Sequence, residues 1–327
     1  MPAGQPGARA HRQHGAVPGL RRIGHVYRAE LRRRWRLGMR ERSMTCKVFD
    51  ARSCLLGEGA FWHPGRKQLF WFDILGRKLL SSHAGTRQEW NFDGFVSAAG
   101  WLDANRLLIA GERELFGFDI ETGQCCPVVP LEADNPLTRS NDGRADPWGG
   151  FWIGTMGKQA QYKAGAIYRY FRGELRPLFP GMTIPNAICF SPDRRYGYFA
   201  DSAERMLWRQ RLAESDGWPV GDPEPFVDCR ALGYEPDGAT VDSLGHLWNA
   251  VWGAGLIARY TPEGVLERTL PCPAKNMTCV AFGGEALATL FATSARQDAP
   301  DATSAHAGST FGFEPGIRGL PEYQVIL

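Results

Sequence analysis

A segment that recurs six times is the feature of this sequence that most constrains its fold. Each copy, such as CFSPDRRYGYFADSAERMLWRQRL, has a turn rich in Asp, Pro or Gly, an apolar strand and a second strand that ends in a polar hairpin. A period of about 40 to 50 residues with four short strands per unit is typical of a β-propeller. The turn residues lie 40, 43, 47, 49 and 40 positions apart: His63, Asp103, Asp146, Asp193, Asp242 and Phe282. Six copies therefore predict an all-β fold, a six-bladed β-propeller.

Radial stacking gives this prediction its physical basis. A small sheet that is apolar on both faces cannot bury them alone, so neighbouring copies must pack against each other. The 327 residues are enough for one large β domain. Closure of the ring needs a partner for the C-terminal strands, and TCKVFD near the N-terminus is expected to complete the last blade.

The charge of the chain is divided unevenly. Residues 1–43 contain 11 Arg and two Glu, which gives +9, whereas the whole chain is +3 and the remainder is therefore −6. We expect residues 1–43 to be a basic, disordered extension or to precede a true start at Met44, with a transit peptide as the alternative. Residues 44–327 are the predicted propeller. Its acidic charge argues against nucleic-acid binding.

Composition also bears on the compartment. The N-terminal segment has no apolar run long enough for a signal peptide or a membrane span. The eight Cys residues form no CxxC pair and indicate reduced thiols. We therefore expect a cytoplasmic protein with no membrane association and no obligate protein partner.

Four polar residues are predicted to converge at the mouth of the central channel. The first strand of each blade lines this channel, so equivalent positions of different blades meet although they lie far apart in sequence. Asn186 in TIPNAICFSPD and Asp237 in YEPDGATVDSLGHLW are expected to occupy the same position of neighbouring blades. Glu58 and Asn141 are expected to do so in two further blades.

Glu58, Asn186 and Asp237 together form a candidate metal site. Two carboxylates and an amide oxygen suit a hard divalent cation, with water completing its coordination. Three protein ligands leave open positions, as a catalytic metal requires. Each residue alone would be a common turn or strand-end residue, and this is the alternative interpretation. Their recurrence in one position of the repeat favours a single divalent metal ion, which stays open among Ca, Zn, Mg, Mn and Fe.

Arg139 and Asn141, in RSNDG, are candidate substrate-binding residues. A guanidinium group and an amide beside an acidic metal centre can anchor a polyhydroxylated or carbonyl ligand. The alternative is an ion pair of Arg139 with Asp142 or with a surface carboxylate.

The chain resembles the SMP-30/gluconolactonase/LRE family, which includes regucalcin and bacterial sugar lactonases. The matching stretches are LGEGAFWHP, RSNDGRADPWGGFWIGTM, IPNAICFSPD, EPDGATVDSLGHLW, TCVAFGG and GIRGLPE. The resemblance implies a six-bladed propeller in which Glu58, Asn186 and Asp237 hold a divalent metal. It also implies that Arg139 and Asn141 contact a sugar lactone and that Asp237 is the catalytic base.

Two positions depart from the family pattern. Some relatives place an acidic substrate contact after the GTM motif, but GKQAQYKAG has no Asp or Glu, so Gln159, Tyr162 and Lys163 are the candidate replacements. Ala187 follows Asn186 where relatives often carry Gly. Both departures leave the identity of the sugar open.

The resulting hypothesis is metal-dependent hydrolysis of sugar-derived lactones to aldonic acids, with Asp237 assisting the attack of water. A calcium-binding regulatory protein and a propeller esterase with a broader range of ester substrates are the alternatives. Arg139 and Asn141 favour a sugar, because a site for apolar esters would be lined mainly by aromatic residues.

Overall fold

The computed structural model describes residues 46–83, 85–298 and 306–327. The predicted basic extension 1–43 lies outside these residues. In the described part of the chain, 24 strands form six four-stranded sheets. Within each sheet all neighbouring strands are antiparallel, as in the blades of a propeller. The predicted six-bladed β-propeller is thus confirmed.

The strands follow one another in chain order, except that the first strand, β1 (Lys47–Asp50), belongs to the last blade. Blade 1 contains β2 (Gly57–His63), β3 (Gln68–Asp73), β4 (Lys78–His83) and β5 (Thr86–Asn91). Blade 2 contains β6 (Val96–Trp101), β7 (Arg106–Gly111), β8 (Glu114–Asp119) and β9 (Cys125–Pro130). Blade 3 contains β10 (Thr138–Ala145), β11 (Phe151–Gly157), β12 (Gly165–Phe171) and β13 (Glu174–Met182).

The other half of the ring has the same order. Blade 4 contains β14 (Pro185–Phe190), β15 (Tyr196–Asp201), β16 (Met206–Arg211) and β17 (Glu224–Asp228). Blade 5 contains β18 (Glu235–Val241), β19 (Leu247–Trp252), β20 (Leu256–Tyr260) and β21 (Leu266–Pro271). Blade 6 contains β22 (Asn276–Gly283), β23 (Thr289–Ala295), β24 (Thr310–Phe313) and β1. Short 3-10 turns occupy Cys229–Leu232 and Glu285–Leu287.

The core lies between the blades, which is why the inner strands are apolar on both faces. Every residue of β3 is buried, and its Phe70, Trp71 and Phe72 have no exposed surface. One face of blade 1 packs against blade 2 through residues such as Phe70, Ile109 and Phe118. The outermost strand β5, in contrast, is largely exposed. Burial therefore decreases from the axis outward, as radial stacking requires.

The ring closes as TCKVFD predicts. Strand β1 pairs with β24, so a segment near the N-terminus is the outermost strand of a blade whose other three strands lie near the C-terminus.

Aspartates at inner strand ends fix the loops between blades. Asp201 accepts hydrogen bonds from the amides of Thr183 (2.7 Å) and Ile184 (3.0 Å). Asp73 does the same for Leu55 and Leu56 at 2.9 and 3.0 Å.

The C-terminal segment, residues 318–326, crosses the end of the ring opposite the predicted site. Its backbone forms hydrogen bonds of 2.9 Å with the backbone of three residues: Ser243 in the β18–β19 turn, Trp101 at the end of β6 and Gly149 in the β10–β11 turn. The segment therefore joins blades 5, 2 and 3 at that end.

The eight cysteines all lie in the described residues and are free thiols, four of them buried. Among the described residues, no helix is both long enough and apolar enough to cross a membrane.

Candidate functional site

A β-bulge in each innermost strand builds the site. The pairing register between the first and second strands shifts by one residue at corresponding places in all six blades. A bulge leaves residues unpaired and turns side chains away from the regular alternation. Near the start of each innermost strand, side chains can therefore point into the channel mouth.

The predicted ligands lie at these bulges, but not all at the same position. Glu58 and Asn186 are the last paired residues before the bulges of β2 and β14, opposite Phe72 and Ala200. Asp237 follows Pro236, the last paired residue before the bulge of β18, so it lies one position later. Asn141 likewise follows Ser140, the last paired residue before the bulge of β10. The expectation that Asp237 and Asn141 occupy the same position as Asn186 and Glu58 is therefore wrong by one residue. The extra residue of the bulge still turns Asp237 toward the channel.

All five predicted site residues line one cavity of about 420 Å³ at the channel mouth. They are Glu58, Arg139, Asn141, Asn186 and Asp237. Each has at most 6 % of its surface exposed. The predicted convergence of these residues is thus present in the structure.

A chain of hydrogen bonds connects three of them. Arg139 donates through Nη1 to Asn141 Oδ1 at 2.9 Å, and Asn141 Nδ2 donates to Asn186 Oδ1 at 3.1 Å. Asn186 Nδ2 in turn donates to Ser202 Oγ at 2.8 Å. Arg139 makes no ion pair with Asp142, because its guanidinium group bonds Asn141 and the carbonyl of Ser140 instead.

Buried negative charge dominates the electrostatics of the cavity. Burial, followed by the charge of Asp142, raises the pKa of Glu58 to about 8. Burial, followed by the charge of Glu58, raises the pKa of Asp237 well above its usual range. The charge of Asp142 raises the pKa of both carboxylates. Burial also lowers the pKa of Arg139, to about 10, and this guanidinium group faces the two carboxylates.

The donor set fits a divalent cation. Asp237 Oδ1 is buried and has no hydrogen-bond partner among the described residues, although such a group normally has one. Glu58, Asn186 and Asp237 offer only oxygen atoms toward a cation, the ligands preferred by hard metals. The described chain contains no cluster of three or more His, Cys, Asp or Glu able to hold a metal, so the set depends on the Asn186 amide.

Comparison with known proteins gives the family. The family model described as SMP-30/Gluconolactonase/LRE-like region matches residues 56–296. The chain belongs to this family. A Rhizobium meliloti (strain 1021) protein assigned as a sugar lactone lactonase is 38% identical over 269 residues, 81% of this chain and 91% of that protein. The L-arabinolactonase of Azospirillum brasilense is 34% identical over 81% of this chain and 90% of its own length. The crystal structure of regucalcin, a calcium-binding protein from Agrobacterium tumefaciens, has a TM-score of 0.84 and 38% identity, covering 87% of this chain and 98% of that one.

The backbone conformation of Ala187 shows why a Gly suits this position in the SMP-30/gluconolactonase/LRE pattern. Ala187 opens the bulge of β14 with a φ of 59°, in the left-handed region that costs a residue with a Cβ about 1–2 kcal/mol. At the equivalent position of blade 1, Gly59 has a φ of 57°. A Gly at position 187 would adopt this conformation without strain.

Only one of the three candidate replacements for the acidic substrate contact after the GTM motif lies at the cavity. Gln159 lines the cavity, as proposed for one of the replacements. Tyr162 is 77% exposed, and Lys163 is placed by a bond from its backbone amide to Thr183 Oγ1 at 3.1 Å. Lys158 also lines the cavity, and its ammonium group is paired with Glu112. The wall that this segment forms therefore offers the side-chain amide of Gln159 and an ammonium group that is already paired with Glu112.

Sequence reasoning missed the roles of two polar residues beside the site. Asp142 is 4% exposed, and its Oδ2 accepts a 2.8 Å bond from the Ile188 amide of the next blade. Ser202, which follows β15, bonds Asn186. In RSNDG, Asp142 was considered only as an ion-pair partner of Arg139. The adjacency of Ser202 to the loop-binding Asp201 would have been the signal.

Stability of the metal-free protein should fall as pH rises from about 5 to 8. The pKa of Glu58 is about 8 in the folded protein but has its ordinary value of 4.5 when unfolded, so between these values the folded state holds more protons. Stability falls with pH wherever the folded state binds more protons. Asp237 and Asp142 act in the same direction. Thermal unfolding midpoints across this range, with and without Mn²⁺, test this, and Mn²⁺ should raise the midpoint most at pH 8. A flat metal-free profile would contradict the burial of these charges.

Proposed function

We propose that this chain is an enzyme that hydrolyses sugar lactones to aldonic acids, with a divalent metal ion held by Glu58, Asn186 and Asp237. The observation that carries the proposal is the arrangement of two buried carboxylates and an amide oxygen in one cavity, beside the donors of Arg139 and Asn141. The relatives named as lactonases support the substrate class.

The chemistry of the metal and the binding of the substrate divide between two sets of residues. A divalent cation bound by Glu58, Asn186 and Asp237 would supply Lewis acidity, which favours negative charge on the lactone carbonyl oxygen. Arg139 and Asn141 would bind and orient the hydroxyl and ring oxygens of the sugar through their N–H groups. Trp252 and Leu75 line the same cavity and give the C–H face of the ring an apolar surface.

Asp237 is the proposed base. Its side chain lines the cavity and its Oδ1 has no hydrogen-bond partner in the described residues, so this carboxylate can accept a proton from the attacking water. The water oxygen forms a bond to the carbonyl carbon, and the bond from that carbon to the ring oxygen breaks. Asp237 then returns its proton to the ring oxygen, which leaves as a hydroxyl group of the open acid.

A second function has one specific observation in its favour. The similar Agrobacterium tumefaciens structure is of a calcium-binding protein, which supports Ca²⁺ among the candidate metals. Calcium in proteins usually has six to eight oxygen ligands, and three side chains would leave about half of these positions to water or substrate. The ligand set therefore favours an enzyme over a protein that only binds calcium. A site for general esters is less favoured, because Arg139 and Asn141 place donors where an apolar ester needs none.

Proton release from aldonolactones should be accelerated by the protein and lost when metal is removed. The assay follows acid formation at constant pH with metal-stripped protein, then with Ca²⁺, Mg²⁺, Mn²⁺, Zn²⁺ and Fe²⁺ added in turn. Restoration by one ion is expected, because the ring opening needs a cation in the carboxylate site.

The matched test variant is Glu58→Gln, which keeps the side-chain shape and removes a ligand charge. It should need far more metal for the same rate. A non-sugar ester such as p-nitrophenyl acetate distinguishes a lactonase from a general esterase. No acceleration with any pair of lactone and metal would contradict the proposed function.

A further inference from the structure

We propose that Ser202 is a positioning residue of this site. Its hydroxyl group holds the side-chain amide of Asn186 so that the oxygen, and not the nitrogen, is available to a cation. The inference rests on the proposed function, since it concerns the metal ligand Asn186. It adds to that function a residue that binds neither the metal nor the substrate in the proposed mechanism.

The direction of the Ser202 hydrogen bonds is fixed by an acceptor that cannot donate. Ser202 Oγ lies 2.6 Å from the carbonyl oxygen of Pro236 on the neighbouring blade. A carbonyl only accepts, so the hydroxyl proton of Ser202 is used in this bond. Ser202 Oγ can then only accept from Asn186, whose amide is 2.8 Å away. Only the amide nitrogen can donate that bond.

The other side of Asn186 is fixed by a donor that cannot accept. The guanidinium group of Arg139 only donates, and it bonds Asn141 Oδ1 at 2.9 Å. The nitrogen of Asn141 therefore faces away from Arg139. It donates to the carbonyl of Pro185 at 3.0 Å and to Asn186 Oδ1 at 3.1 Å.

The hydrogen bonds on the two sides of Asn186 require the same orientation of its side-chain amide. A flipped amide would place its nitrogen against the nitrogen of Asn141, and its oxygen against a Ser202 oxygen whose proton is already used. Asn186 Oδ1 accepts one bond from Asn141 and has a second lone pair. Ser202 thus fixes the orientation of the Asn186 side chain, as the hydrogen-bond partner of a metal-binding histidine fixes the orientation of its ring. Loss of such a partner typically costs about 10–100-fold in metal affinity.

Titration of metal-stripped protein with Mn²⁺ alone, by isothermal calorimetry without substrate, tests this role. Ser202→Ala should raise the Kd by about 10–100-fold, and Ser202→Thr, which keeps a hydroxyl group, should restore most of the affinity. The control is Ser191→Ala at the opposite end of the same strand pair. Ser191 also uses its hydroxyl fully, in a 2.6 Å bond to Asp193 and a 2.9 Å bond from the Tyr196 amide. Its loss should leave the Kd unchanged.

The same titration in an Asn186→Asp background separates orientation from a structural role. A carboxylate presents oxygen on both sides, so Ser202→Ala should no longer change the Kd appreciably. A large loss of affinity in both backgrounds would overturn the orientation role. Binding by Ser202→Ala equal to that of the wild type would overturn the inference and leave the proposed function standing. If the wild type bound none of the five candidate ions in this titration, the metal site and this inference would be overturned together.

Discussion

Asp237→Asn should lower kcat for lactone hydrolysis by about 10³-fold, within the range usually lost with a general base. The substitution keeps the size of the side chain, but it removes a ligand charge and the only group proposed to accept the proton of water. Steady-state proton release at saturating Mn²⁺ or Ca²⁺ measures the loss. Saturation separates the loss of the base from the weaker binding of the metal.

Although Asp237→Asn lowers activity, it should not lower the thermal stability of the metal-free protein. The wild-type carboxylate is buried beside Glu58 and Asp142, and its Oδ1 has no partner in the described part of the chain. A neutral amide does not carry this charge, so the metal-free variant should unfold at the same temperature or higher. Functional sites often have this relation between activity and stability.

Glu235→Gln is the matched control, since Glu235 lies on the same strand at the cavity and is paired with Arg205. It removes an equal charge and should change kcat only a few-fold. Near-wild-type turnover by Asp237→Asn would show that another group accepts the proton, even if the fold and the metal site are correct.

The fold could be predicted because it depends on a repeated pattern. Each blade needs an apolar inner strand and a polar outer hairpin, so the period appears in composition and turn residues alone. The closing strand could be predicted for the same reason, because TCKVFD has the strand pattern and no other partner in the repeat. Convergence of Glu58, Asn141, Asn186 and Asp237 followed from the ring geometry.

The internal arrangement of the site could not be predicted, because it depends on the bulges. A bulge shifts the register by one residue, and this shift is a property of the paired backbones rather than of a residue type. It explains why Asp237 lies one position later than Asn186. The roles of Ser202 and Asp142 also depend on contacts between blades, such as the bond from the Ile188 amide to Asp142, which no local pattern indicates.

Arg144 makes contacts of this kind with several blades at once, and it supports the channel below the site. Its Nε donates to the carbonyl of Ile188 at 3.2 Å, and its Nη2 donates to those of Ala239 and Val280 at 3.1 and 3.3 Å. These carbonyls belong to the innermost strands of blades 4, 5 and 6. Its Nη1 is paired with Glu322 of the C-terminal segment. One side chain of blade 3 therefore contacts three other blades and the C-terminal segment.

Arg144→Met should reduce the free energy of unfolding by about 3–5 kcal/mol, the usual cost of removing one partner of a buried ion pair. Both side chains of the pair are only 10% exposed, so Glu322 would be left as an unpaired buried charge. Urea unfolding of the metal-free protein at pH 7 measures the change. As a control, Arg230→Met disrupts the exposed pair with Asp228 and should leave the urea midpoint essentially unchanged.

The double variant Arg144→Met/Glu322→Met separates the two sources of this loss. Removal of both charges should recover the part due to the unpaired carboxylate, because apolar replacement of a whole buried pair is often nearly neutral. The carbonyls of Ile188, Ala239 and Val280 would still lack their donor, and each unsatisfied group costs about 1–3 kcal/mol. The double variant should therefore be more stable than Arg144→Met and less stable than the wild type. If Arg144→Met alone stayed within 1 kcal/mol of the wild type, the ring would be held by blade packing, and the contacts of Arg144 across the channel would add little to it.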